Sequence, residues 1–133
     1  MMNEPLSSIM TRNVITVGPD DKLSSARDIF MKNKVHHLPV VHGTKLLGIL
    51  TTYDLFKYVR RDTDYENTFV KDVMTKHVAT LEPEDKVGSA AELFLENRFH
   101  AVPIVKEGEL KGIVTSFDVI KYEFHKEYPT QEI

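Results

Sequence analysis

The chain has 133 residues, 41% of them hydrophobic and 28% charged, with a formal net charge of −3 and no cysteine. That length suits one compact domain or two very small ones sharing a core, and that composition excludes a disordered tail. The missing cysteines exclude a disulfide framework, a thiolate nucleophile and a cysteine zinc site, and the negative balance excludes nucleic acid as the main partner.

In chain order, residues 1–9 carry no basic stretch followed by an apolar one, so they do not read as a secretory leader. No apolar run approaches the ~20 residues of a membrane span. No membrane partner is therefore expected, and the location expected is cytoplasmic. Residues 14–17 are a short β-branched run and predict a strand. Pro19-Asp20-Asp21 then signals a helix start, and Leu23, Ala26, Ile29 and Phe30 recur at helical spacing. Asn33 is placed to end that helix, because Asn tolerates the left-handed conformation found just past helix ends. Residues 38–41 and 46–50 are apolar runs around a turn at 42–45, which predicts a hairpin. A second helix is predicted over 52–60, followed by a polar stretch. The series then restarts, with a strand at 78–81 and a helix opened by Pro83-Glu84-Asp85 that carries Val87, Ala90, Ala91 and Phe94 and stops near Asn97. A hairpin of 102–105 and 110–114 around Glu107-Gly108-Glu109 and a helix over 116–126 complete it.

The restart is a duplication. Residues 9–59 align with 73–123 without a gap, and about two in five positions are identical, far above chance. Met10-Thr11 matches Met74-Thr75, His36 matches His100, Pro39 matches Pro103, Gly48 matches Gly112, and Lys57-Tyr58 matches Lys121-Tyr122. The expected architecture is a mixed α/β (α+β) fold, β-α-β-β-α written twice, over residues 7–60 and 71–126 with a linker at 61–70. A unit of about 50 residues buries too little surface to be secure alone, so the two are expected to pack sheet against sheet. Their interface is the expected ligand site.

Two repeated phrases carry chemistry. "GILTTYD" at 48–54 and "GIVTSFD" at 112–118 place Thr51-x-x-Asp54 and Thr115-x-x-Asp118 at helix starts, the pattern of a capping box. The same pattern leaves free amides and a hydroxyl for an anion, and a carboxylate able to accept ribose hydroxyls. "VHHLPV" at 35–40 and "FHAVPI" at 99–104 place a proline, which lacks an N–H, at the start or edge of a strand. The residues before each proline then present backbone groups to the edge of a base, or are simply polar residues of a loop.

With both phrases in both copies and the "MT" opening of each, the sequence resembles the CBS domain family, named after cystathionine beta-synthase, in its paired form or Bateman module. The resemblance covers residues 7–124. It implies two β-α-β-β-α units related by a pseudo-two-fold axis, with two composite clefts that take AMP, ADP, ATP, S-adenosylmethionine or related adenosyl compounds as regulatory ligands, and no required cofactor. Carried over residue by residue, one site joins Thr51 and Asp54 with Val78, Ala79, His100, Ala101 and Pro103. The other joins Thr115 and Asp118 with Val14, Ile15, His36, His37 and Pro39. Asp is implied to hold the ribose hydroxyls, Thr the sugar-phosphate region, the Val-Ala or Val-Ile pair the face of the base, and the backbone before proline its edge. Some family members read His-Arg before the proline step, both contacting phosphate. Here the pairs are His36-His37 and His100-Ala101, so an arginine fork is missing. Copy one keeps more phosphate-binding capacity, which ranks the site closed by Thr115 and Asp118 as the one occupied.

A catalytic reading finds no nucleophile with an adjacent base, no Gly-rich phosphate loop and no H-E-x-x-H, so no enzyme is expected. The expected function is regulatory sensing of an adenosine-type nucleotide, in an energy-sensing role. Two alternatives stay open: a module that only dimerises or binds partners, and a metal-responsive one built on His36, His37, His42 and His100. Against the latter, adjacent histidines on a strand face opposite sides. Leu55, Phe56, Val119 and Ile120 on the second helices are expected in part at a homodimer contact. A separate regulated protein is the further partner implied.

Overall fold

The computed structural model describes residues 2–97 and 100–129. The alternating apolar runs form two antiparallel hairpins. In the first, β1 (His37–His42) pairs with β2 (Lys45–Thr51). In the second, β3 (Ala101–Lys106) pairs with β4 (Glu109–Thr115). Both turns use the positive φ that a right-twisted hairpin demands, at one residue in the first (Gly43, +64°) and at two in the second (Glu107, +53°, and Gly108, +83°).

Helices flank each hairpin. In the first repeat α1 is Leu23–Asn33 and α2 is Thr52–Tyr58, after which come two single turns, α3 (Asp64–Asn67) and α4 (Val70–Val73). In the second, α5 is Val87–Asn97 and α6 is Ser116–Glu127. A 3-10 turn at Leu6–Ser8 precedes them all.

Several predicted boundaries move. The strands predicted at 14–17 and 78–81 do not form; each run makes a single parallel bridge, Val17 to Val40 and Leu81 to Ile104. The helices begin later than their Pro-acid signals because the aspartates cap a turn instead: Asp21 Oδ2 accepts from the Gly18 amide at 2.8 Å and Asp85 Oδ2 from the Glu82 amide at 2.8 Å. Lys34, not Asn33, takes the left-handed position (φ +53°), while the Asn33 side chain donates to the Ile29 carbonyl at 3.0 Å. Phe99 of the second proline phrase lies outside the described residues.

The repeat is not the packing unit. Residues 15–78 form one compact unit, and the residues up to 14 together with those from 79 onward form the other; we call these the central and the split unit. Each unit receives the lead segment of the other repeat. In the split unit, Leu6 is fully buried in a core with Met10, Val87, Ala90, Val102, Ile104, Val114 and Val119. The Val87 and Gly88 amides at the start of α5 donate to the Glu4 and Met2 carbonyls, both at 2.9 Å. In the central unit, Val70 and Val73 join Val17, Leu23, Ala26, Phe30, Leu38, Val40, Leu50 and Leu55. There the Leu23 amide donates to the Thr68 carbonyl at 3.0 Å. The orphan amides of α1 and α5 are thus satisfied by backbone from a distant part of the chain rather than by a local side chain.

The glycines of the two shared phrases follow from this docking. Thr11 and Ile113 exchange backbone hydrogen bonds of 2.9 and 3.0 Å, as do Thr75 and Ile49. A Cβ on Gly112 would lie 2.7 Å from the Thr11 carbonyl oxygen, and one on Gly48 2.5 Å from that of Thr75. Only glycine permits so close a backbone approach.

Candidate ligand-binding site

Thr51 and Thr115 end β2 and β4 in extended conformation and are the N-caps of α2 and α6. Thr51 Oγ1 accepts from the Asp54 amide at 3.1 Å while Asp54 Oδ2 accepts from the Thr51 amide at 2.9 Å. At Thr115 and Asp118 the distances are 3.2 and 2.8 Å. The capping box is therefore formed twice. It occupies one of the roughly four acceptor positions of each carboxylate, and leaves capacity for ligand hydroxyls.

The two acids differ in access. Asp54 is only 7% exposed. Asp118 is half-buried and opens onto a pocket of about 460 Å³ within the split unit. Ile9 and Thr11 of the lead segment form one wall. Lys121, Tyr122, His125 and Lys126 extend the α6 wall from Asp118. These five α6 positions, at i, i+3, i+4, i+7 and i+8, make one helical stripe. Beside them, the Tyr122 hydroxyl donates to the Glu4 carboxylate, and Lys126 pairs with Glu4 at 3.4 Å. The Tyr122 hydrogen bond, helped by a backbone bond and the Lys126 charge, holds the Glu4 carboxyl below its ordinary pKa. Burial and the bond to Glu4 raise that of Tyr122.

The proline phrases sit beside the capping boxes within each unit. The His36 carbonyl accepts from the Thr52 amide at 3.2 Å, and the His100 carbonyl from the Ser116 amide at 3.0 Å. Those carbonyls thus pin the loop to the helix start. The His36 and His100 side chains are exposed, whereas His37 and Ala101, the first residues of β1 and β3, are half-buried opposite Thr51 and Thr115. Pro39 and Pro103 are fully buried and third in their strands; of the start or edge position that the sequence allows they take the edge, since β1 and β3 each pair with one strand alone, their hairpin partner. The position tolerates proline because the Pro39 carbonyl, and with it the nitrogen, faces Val17 rather than β2: it accepts from the Val17 amide at 3.1 Å, as Pro103 does from Leu81 at 3.2 Å. No β1–β2 or β3–β4 hydrogen bond is lost.

Val14, Val78 and Ala79 are half-buried and Ile15 is exposed. The chain passes from one compact unit to the other between Val14 and Ile15, and again between Val78 and Ala79. The pairs expected to cover a base are therefore the crossing points of the chain. Among the described residues no three His, Asp or Glu side chains converge as a metal site would need. No described helix is long and apolar enough to cross a membrane.

Thr11, Lys121, Tyr122, His125 and Lys126 were not among the expected site residues. The stripe on α6 carries a signal in its spacing. The Thr11 wall carries none, because the lead segment of the first repeat folds onto the second.

The model of the CBS domain matches residues 6–61 and again residues 70–125. An inosine-5′-monophosphate dehydrogenase of Korarchaeum cryptofilum is 36% identical over 119 residues, which are 89% of this chain and 24% of that protein. The chain spans between 22% and 44% of the length of the most similar curated relatives. Among solved structures, CBSX2 in complex with AMP superimposes with a TM-score of 0.84 at 25% identity, covering 93% of this chain and 98% of that one. The CBS domain pair of protein MJ0100, in complex with 5′-methylthioadenosine and S-adenosyl-L-methionine, gives 0.80 at 26% identity, over 93% and 98%.

Proposed function

The chain belongs to the CBS domain family, as a tandem pair, and on that premise we propose that it is a regulatory module, not an enzyme, which binds an adenosine-type ligand. The observation that carries this reading is the capping-box aspartate present in both repeats, already oriented by a backbone amide and still able to accept hydroxyls. The solved structures of similar pairs with AMP, and with 5′-methylthioadenosine and S-adenosylmethionine, support the ligand class.

In this reading Asp118 and Asp54 accept the ribose hydroxyls, and Thr115 and Thr51 lie by the sugar-phosphate. The base meets Val14, Ile15, Val78 and Ala79, with Pro39, Pro103 and the backbone of His36, His37, His100 and Ala101 at its edge. The ligand is AMP, ADP or ATP, and the module reports adenylate state to a separate protein in the cytoplasm. Tyr53, Phe56, Phe117 and Ile120, exposed at matching positions of α2 and α6, belong to a homodimer contact. Exposed apolar side chains repeated at one helical face favour a protein partner.

Thermal denaturation with a panel of adenosyl compounds and divalent metals tests the reading. A binding nucleotide at a hundred times its Kd stabilises the native state by about 2.7 kcal/mol. Stabilisation by metals and by none of the adenosyl compounds would replace this function with a metal-responsive one. Stabilisation by neither would leave an interaction module.

A further inference from the structure

The pocket beside Asp118 is lined by Lys121, His125 and Lys126 of α6. Resting on the reading that an adenosine-type ligand binds with its ribose at Asp118, we propose that this pocket receives an anionic 5′ extension. The chain then takes adenine nucleotides and discriminates against S-adenosylmethionine and 5′-methylthioadenosine, with Lys121 and His125 as the discriminating residues.

The volume, about 460 Å³, is that of a small-ligand site. Its polar groups lie in a row along one helix: Lys121 is about one turn beyond Asp118 and His125 about two, at ~5.4 Å per turn. One turn matches the separation between ribose hydroxyls and a 5′-phosphate, and two turns reach further along a polyphosphate. Lys126 is committed, paired with Glu4 at 3.4 Å and lying over the Tyr122 ring at 5.0 Å. Lys121 is half-buried and has no ion-pair partner among the described residues, so its charge is available to a ligand. His125 is half-buried in a T-shaped contact with Phe124, ring centroids 5.9 Å apart, and its imidazole carries an N–H donor. The helix dipole opposes an anion at the end of α6, but it acts within the last turn, where His125 and Lys126 lie. Thr11 adds a hydroxyl from the opposite wall.

This set suits a phosphate ester and disfavours the alternatives. S-adenosylmethionine brings a sulfonium cation toward Lys121, and 5′-methylthioadenosine brings a neutral thioether that offers these donors nothing. The first repeat does not build the same stripe. Its counterparts Lys57 and Tyr58 are exposed, α2 ends there, and Arg61 and Asp62 replace His125 and Lys126 outside any helix.

Calorimetry of the full chain with adenosine, AMP, ATP, 5′-methylthioadenosine and S-adenosylmethionine tests the proposal. The wild type is expected to bind AMP about tenfold or more tightly than 5′-methylthioadenosine, the size of one charge-assisted hydrogen bond. Lys121→Glu removes that increment and leaves 5′-methylthioadenosine affinity unchanged; Lys121→Gln with His125→Gln removes most of it. Lys57→Glu, at the matching place in the first repeat, changes neither. The proposal is overturned by a wild type that binds S-adenosylmethionine or 5′-methylthioadenosine as tightly as AMP, or by a Lys121→Glu loss shared equally by all five compounds. Failure of every compound to bind the wild type overturns the ligand reading itself, and this inference with it.

Discussion

Helices α2 and α6 start from the same capping box and from the same Lys-Tyr pair a turn later, yet α2 stops at Tyr58 and α6 runs to Glu127. The difference is made beyond the shared residues. After Tyr58, Asp64 Oδ2 accepts from the Arg60 and Arg61 amides at 2.8 and 3.0 Å. Those two bonds hold the Asp64 carboxyl below its ordinary pKa. They also turn out the amides a further helical turn would need. After Tyr122 nothing of the kind intervenes, and the added turns carry His125 and Lys126. Duplication preserved the start of the helix, which positions the aspartate, and freed its end, which decides the charge beside it. Two copies of one motif thus present different chemistry: a buried acid with an exposed lysine in one, a half-buried acid with a basic stripe in the other.

The largest expected effect tests what the two units share, a borrowed lead segment. Leu6 lies ahead of the aligned repeat, and a unit bounded by the repeat predicts no cost for its loss. Its complete burial in the split-unit core predicts that Leu6→Ala lowers stability by about 2–5 kcal/mol in urea denaturation. Val70→Ala, its counterpart in the central unit, should cost less because fewer buried carbons are removed. A neutral Leu6→Ala would mean that the segment does not dock. Next in size, Gly112→Ala forces a Cβ against the Thr11 carbonyl and the Met10 sulfur, with an expected loss of about 1–3 kcal/mol. The same change at Gly43, where a Cβ meets nothing within 4 Å, strains only a positive φ and should cost less.

The two aspartates should then separate stability from binding. Asp54→Ala takes a buried carboxylate from the half-buried Thr51 amide, at a cost of about 1–3 kcal/mol. Water can replace part of that bond at half-buried Asp118, so Asp118→Ala should sit at the lower end of the range. For ligand affinity the order reverses: Asp118→Ala is expected to cost about ten- to a hundredfold in calorimetry, the worth of a charged acceptor. Equal losses of affinity at both positions would remove the distinction drawn between the copies.

Legibility in the sequence followed the range of the interaction. The capping boxes join residues three apart, and both were readable with their chemistry. The hairpins were readable because apolar runs and turn residues are local signals. Helix starts were misplaced because Asp21 and Asp85 satisfy the amides of their own turns, while the amides of α1 and α5 are met by Thr68 and Glu4 from far along the chain. The prolines were legible as residues of a strand start or edge, and edge strands hold them; what fixes them third in the strand, the bridge from Val17 or Leu81, is a nonlocal contact. For the same reason Asp118 was legible as a candidate and the wall facing it was not.

The smallest expected effect concerns how the split unit holds its borrowed segment. In the central unit the counterpart segment is held by Lys71 with Asp20 at 2.9 Å and Lys22 with Glu66 at 3.8 Å. In the split unit one carboxylate, Glu4, meets both the Tyr122 hydroxyl and Lys126. The Tyr122 bond depresses the folded-state pKa of Glu4 below its ordinary 4.5. Such a group adds stability that is complete above the unfolded value and is lost as pH falls through the lower folded one. Tyr122 is shifted the other way, above its ordinary 10.0, so its contribution is complete below that value and is lost as pH rises through the raised one. The segment should therefore be held most tightly across the neutral range and loosen at both extremes. Hydrogen-exchange protection of the Val87 and Gly88 amides, corrected for intrinsic rates, reads this directly, because both donate to the segment's carbonyls. Protection should fall below pH ~4.5 in the wild type, and Glu4→Gln should lower it at neutral pH and flatten the acid limb. Salt should weaken it as well, since exposed pairs are screened over a Debye length of about 10 Å at 0.1 M. If Glu4→Gln keeps the acid limb of the wild type, other carboxylates govern the segment and the Glu4 contact is incidental.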